Sequence, residues 1–161
     1  MIKDVEVMSC ANFKANMGRL DTYPDLAAIS CRQSKGHPVG DDYALAPDSS
    51  KFLSLFFDDC GLRRGDGVGY DGWEGQKPFT PEQAKQVLDF VEALPDGTTL
   101  YVHCQAGISR SGAIGSFVSA NYTEQNQVAW RQRHSWINPN SHVTSLLTRE
   151  MYKRKGIEID G

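Results

Sequence analysis

The sequence predicts an α/β fold, with a central, mostly parallel sheet of about four or five strands flanked by helices. Three observations carry that expectation. Residues 100–112 read LYVHCQAGISRSG, an apolar strand, then a short loop, then small residues at helical density. Residues 80–94 form an amphipathic helix between two β-prone runs. The resulting order of strand, long loop, helix and strand is a crossover unit for a parallel pair.

The elements follow in chain order. VEVMS (5–9) is a first strand, and the ANFKANM that follows is too short and polar to assign. Met8 and Met17 read as core filler. Tyr23-Pro24 marks a boundary, and the apolar residues 26–31 form a second short strand before the polar RQSKGHPVGDD. His37 in that loop is expected to be solvated. KFLSLFF (51–57) is a buried strand that stops at Asp58, Asp59 and Cys60. Residues 60–79 contain six glycines and the pair Arg63-Arg64, so a long glycine-jointed loop follows directly after two acids. Tyr70 and Trp73 are candidates to line a substrate groove, and either arginine could meet an anionic substrate.

The helix signals are sharper downstream. Thr80-Pro81-Glu82-Gln83 supplies an N-cap, a proline at the first helical position and a capping-box glutamine. Ala84, Val87, Leu88, Val91 and Leu94 make one apolar stripe, which Pro95-Asp96-Gly97 ends. Residues 98–103 return as a strand, and residues 112–122 form a small-residue helix that can pack closely on the sheet. Residues 126–136 are expected to be helical, with structural roles for His134 and Trp136. Pro139-Asn140 breaks the chain, and Val143, Leu146, Leu147 and Met151 recur at helical spacing beyond it. Lys153, Arg154 and Lys155 are expected to complement the negative end of that last helix.

Composition bounds the rest. A chain of 161 residues, 40% of them hydrophobic, suffices for one domain spanning 1–161. A formal charge of −3 disfavours a general nucleic-acid binder. No apolar run approaches membrane-spanning length, and MIKDVEV lacks a signal-peptide core, so neither a membrane nor a nucleic-acid partner is expected. Cys10, Cys31, Cys60 and Cys104 lack disulfide-framework spacing. The expectation is a soluble cytoplasmic protein.

The chemistry concentrates at residues 103–111. A loop that opens a helix turns free N–H groups inward with the positive end of the helix dipole behind them, which suits a phosphate dianion. Gly107 permits a backbone conformation that other residues resist, and Arg110 can offer parallel donors to phosphate oxygens. Cys104 would lie beneath the phosphorus, and the same donors favour its thiolate. No second cysteine stands at zinc-ligand spacing, and Arg110 would repel a cation, so no metal is expected. A sulfurtransferase, which also cradles a cysteine in amides, is the chemical alternative.

HCQAGISRS resembles the H-C-x-x-G-x-x-R-[ST] signature of the cysteine-dependent protein tyrosine phosphatases, and the short chain resembles their compact dual-specificity branch. The resemblance implies Cys104 as nucleophile, Arg110 as phosphate clamp, and the backbone of Gln105, Ala106, Gly107, Ile108, Ser109 and Arg110 as cradle. It implies Ser111 as the hydroxyl that helps the thiolate leave, and His103 as a support for the loop. An acid after the preceding strand would protonate the leaving group. Asp59 is favoured over Asp58, with Asp66 and Asp71 on the long loop as further candidates. No cofactor is implied. The uncharged loop interior favours a phosphoprotein substrate. The alternatives are a phosphoinositide phosphatase, an RNA 5′-triphosphatase, or a pseudophosphatase that only binds phosphorylated partners. Cys60 is the first candidate to capture an oxidised Cys104.

Overall fold

The computed structural model describes residues 1–61 and 75–157. Its elements are β1 (Asp4–Ser9), α1 (Cys10–Asn16), α2 (Gly18–Thr22), β2 (Leu26–Arg32), β3 (Phe52–Phe56), α3 (Pro81–Glu92), β4 (Thr99–Cys104), α4 (Arg110–Tyr122), α5 (Gln127–Arg133) and α6 (Ser141–Arg154). The four strands form one sheet in the order β1-β4-β2-β3, and every pairing is parallel. The α/β expectation therefore holds, with one correction. β3 and β4 run parallel at the two ends of a crossover, but β2 lies between them, so they are not a hydrogen-bonded pair.

Side-chain alternation along β4 divides the interior in two. Leu100, Val102 and Cys104 face the larger core with Val5, Ile29, Leu55, Val87, Ile114 and Leu147. Tyr101 faces the smaller cluster with Phe13, Ala28 and Phe52, against which Met8 and Met17 pack half-buried. Alternation thus sends Cys104 toward α4 and His103 toward α1. The segment too polar to assign from sequence becomes α1 because Ser9 caps it, accepting from Asn12 N at 3.2 Å, and Phe13 anchors it to the sheet. On the opposite face α4 approaches β1 closely, since a Cβ at Gly115 would overlap Val7 Cγ2.

The capping box at Thr80 and Gln83 is formed, and the helix expected over 126–136 is shorter, with Asn126 as its N-cap. His37 is not solvated; it is buried, with Nε2 3.9 Å from Asp58 Oδ1, because its loop folds back over the end of β2. Arg154 does more than complement a helix end. It bridges α6 to α3 through Asp89 at 2.6 Å and Glu92 at 3.2 Å, and also pairs with Glu150. Arg63, Arg64, Asp66, Tyr70, Asp71 and Trp73 lie outside the described residues. Among the described residues no helix is long and apolar enough to cross a membrane, and no His, Cys, Asp and Glu cluster could hold a metal.

Candidate active site

β4 ends at Cys104 and α4 begins at Arg110, so the intervening loop lies at the carboxyl edge of the sheet, where parallel α/β folds place ligands. Its carbonyls are tied outward. Gln105 O accepts from Cys10 N at 3.1 Å, Ile108 O from Asn138 N at 2.9 Å, and Ser109 O from Asn140 N at 3.0 Å. Gly107 O accepts from Trp136 Nε1 at 3.0 Å. With those carbonyls turned out, the amides of the same peptides face the loop interior, and Gly107 N–H reaches Cys104 Sγ at 3.3 Å. Gly107 has φ +74°, and a Cβ there would lie 2.5 Å from the Met8 carbonyl carbon. Both backbone conformation and close approach therefore demand glycine.

Of the loop amides assigned to the cradle by resemblance, that of Gly107 reaches Sγ. Burial pushes the Cys104 thiol up, but the Arg110 guanidinium, the Ser111 hydroxyl and the amides of Ser111 and Gly107 outweigh it, so its pKa lies below that of an ordinary thiol. Ser111 Oγ is 3.1 Å from Sγ and fully buried. Arg110 is also buried, and its Nη1 donates to Gln33 Oε1 at 2.9 Å and to Phe57 O at 3.0 Å.

The architecture around this loop has solved counterparts. Over 94% of this chain and 93% of its own, a human tyrosine phosphatase-like serine/threonine/tyrosine-interacting protein superposes at TM-score 0.55 and 16% identity. The Yvh1 phosphatase domain from Chaetomium thermophilum does so at TM-score 0.52 and 19% identity, covering 99% of this chain and 95% of that one. The chain has a tyrosine-phosphatase-like fold. No protein-family model and no curated protein matches it by sequence.

Within this phosphatase fold the two candidate acids after β3 have different surroundings. Asp58 is fully buried, and both its oxygens are taken. Oδ1 accepts from Ser34 N at 2.9 Å, and Oδ2 accepts from Ser34 Oγ and from Lys77 N at 2.8 Å. Asp58 thereby ties the loop after β2 to the chain re-entering at Lys77. Asp59 is half-buried and turns to the loop between β4 and α4. Its Oδ1 accepts from Ser109 Oγ at 2.8 Å and from Asn140 Nδ2 at 2.9 Å. Asn140 also caps α6, accepting at Oδ1 from His142 N and Val143 N, so one side chain joins the acid, the loop and the last helix. The break at Pro139-Asn140 was visible in the sequence, but these contacts were not.

His103 supports the loop from the other face of β4. Its Nδ1–H donates to Cys104 O at 3.1 Å, because a carbonyl can only accept, and Nε2 then accepts from Ser30 Oγ at 2.7 Å. Phe13 stacks on the ring at 4.2 Å. Burial pushes the imidazole pKa down to about 4, aided by the charges of Arg32, Arg110 and Lys14 and opposed by the bond to Cys104 O.

A base whose folded pKa lies below its ordinary value of 6.5 stabilises the fold fully above pH 6.5 and loses that contribution as pH falls toward 4. The loss by pH 5 is expected to be about 2 kcal/mol. Urea denaturation at pH 7 and pH 5 checks it. The pH-dependent loss in His103→Gln should be smaller than in the wild type by that amount, and equal losses would refute the buried neutral ring.

A thiol other than Cys60 also lies beside Cys104. Ser30 pairs with His103 across β2 and β4, so Cys31 runs alongside Cys104 on the same face of the sheet. Burial raises the Cys31 pKa strongly, and negative charge on Cys104 raises it further. The sequence could not reveal this, because strand order is a long-range property.

Proposed function

We propose that the chain hydrolyses phosphomonoesters of phosphoproteins through a cysteinyl-phosphate intermediate. The observation that carries the reading is the environment of Cys104, a buried thiol whose pKa is nonetheless lowered by donors converging from Arg110, Ser111 and Gly107. Arg110 Nε adds support. It is buried with no hydrogen-bond partner among the described residues, a state that costs about 1–3 kcal/mol unless an anion accepts from it.

Cys104 Sγ attacks phosphorus in line, forming an S–P bond as the P–O bond to the alcohol or phenol breaks. Asp59 delivers the proton to that departing oxygen. Loop amides and Arg110 hold the equatorial oxygens as charge redistributes. The ionised Asp59 then takes a proton from water, which displaces the thiolate, and the Ser111 hydroxyl donates to the departing sulfur. Asp59 suits this work because Ser109 and Asn140 hold Oδ1, which leaves Oδ2 to carry the transferable proton. The uncharged side chains of Gln105, Ala106 and Ile108 favour a substrate with one phosphate over a polyanion.

Turnover of nitrophenyl phosphate tests the reading, since a module that only binds phosphorylated partners would show none. Asp59→Asn tests the acid. Hydrolysis of alkyl phosphates should fall by about 10²-fold. Nitrophenyl phosphate, whose leaving group barely needs a proton, should slow much less, and the basic limb of the rate profile should flatten. Asp58→Asn should mainly lower stability, because its oxygens hold two loop backbones. If Asp58→Asn gives the leaving-group effect and Asp59→Asn does not, the roles are reversed.

A further inference from the structure

We propose that a groove beside the phosphate loop is the docking site for the polypeptide that flanks the phosphorylated residue, and that Asn12, Asn16 and Trp136 are its reading side chains. This rests on the phosphoprotein reading above. The groove has a volume of about 540 Å³ and runs between α1, the end of β1 and Trp136. It adjoins the loop proposed to hold phosphate, because Ala106 lines it.

Three features define its occupant. Trp136 is 49% exposed, yet its indole N–H is already bonded to Gly107 O, so the ring is fixed and presents a face and not a donor. Asn12 and Asn16 stand one turn apart on the same side of α1, and both line the groove. Asn16 Nδ2 donates to Asn12 O at 2.8 Å, which fixes the Asn16 amide and leaves its oxygen as an acceptor. Side-chain amides supply the donor and acceptor that a peptide main chain requires, and an aromatic face supports its side chains.

The third feature is charge. No lysine or arginine lines the groove, and its one titratable side chain is Glu6. The bond to His134 holds the Glu6 carboxyl below its usual range against the effect of burial, and Arg133 helps. Arg133 itself is paired with Glu6 and Asp4, each at 3.2 Å, outside the lining. A polyphosphorylated lipid headgroup or an RNA would meet amides and a carboxylate there, whereas a neutral or basic peptide meets complementary groups.

The test is binding to Cys104→Ser protein, which removes turnover from the measurement. The probes are inorganic phosphate and a phosphotyrosine peptide with lysine and alanine flanks, followed by calorimetry. Adding Asn12→Ala and Asn16→Ala should weaken the phosphopeptide by about tenfold, as expected for two lost hydrogen bonds, and leave phosphate unchanged. Replacing the flanking lysines by glutamates should weaken binding to the parent protein several-fold. Equal peptide affinities with and without the asparagines overturn the proposal. So does tighter binding of phosphoinositide vesicles or 5′-triphosphorylated RNA than of the peptide. Failure of the wild type to hydrolyse nitrophenyl phosphate would count separately, against the catalytic reading, because the binding comparison does not depend on turnover.

Discussion

Cys104→Ser is expected to reduce turnover of nitrophenyl phosphate by about 10⁴-fold or more while phosphate and vanadate still bind. The donors that lower the Cys104 pKa act on a thiol that starts within reach of neutral pH. A serine hydroxyl starts far above it, so the same donors leave the alcohol protonated. The proposed oxyanion cradle does not depend on sulfur. Its carbonyls are tied outward by Cys10, Asn138 and Asn140 backbone amides and by the Trp136 indole, and Arg110 keeps its bonds to Gln33 and Phe57. Near-normal turnover in the serine variant would eliminate the covalent route. Loss of phosphate binding together with turnover would mean that Sγ supports the loop as well as reacting.

What was legible in the sequence is what is local in the chain. His103 to Ser111 is a contiguous strand-loop-helix stretch whose residue types suggest their own chemistry, and Thr80 to Gln83 is a capping box complete within four residues. The alternation of side chains between the two faces of β4 follows from strand geometry once the strand is recognised. What was not legible comes from distant segments. The outward tie of the loop depends on Asn138 and Asn140, some thirty residues downstream, and the Arg110 tether depends on Gln33, 77 residues upstream. His37 read as a solvated loop residue because nothing nearby in sequence announces that Asp58 will lie beside it. Asp59 was preferred to Asp58 only by its position after the strand. The physical distinction is that both Asp58 oxygens are consumed by Ser34 and Lys77, while Asp59 bonds through Oδ1 alone, to Ser109 of the loop and to Asn140.

Arg110→Lys is expected to lower kcat for nitrophenyl phosphate by about a thousandfold, or ~4 kcal/mol of transition-state stabilisation. The guanidinium serves two partners at once. One nitrogen, Nη1, is anchored to Gln33 Oε1 and Phe57 O, and this anchoring orients the plane so that the remaining N–H groups point in fixed directions. A lysine ammonium keeps the charge but has one nitrogen, so it must choose between the anchor and the phosphate, and it cannot span two equatorial oxygens. Part of the thiolate stabilisation at Cys104 also comes from this charge, and a mobile ammonium would supply less of it. Gln33→Ala separates anchoring from clamping: it removes one tether but keeps the fork, so its loss should be nearer tenfold. Thermal melts establish that each variant is folded, and vanadate titration reports whether the clamp still holds a trigonal-bipyramidal oxyanion. A lysine variant within tenfold of the wild-type rate would mean that charge alone suffices, and that the buried fork of Arg110 organises the loop and does not grip the phosphoryl group.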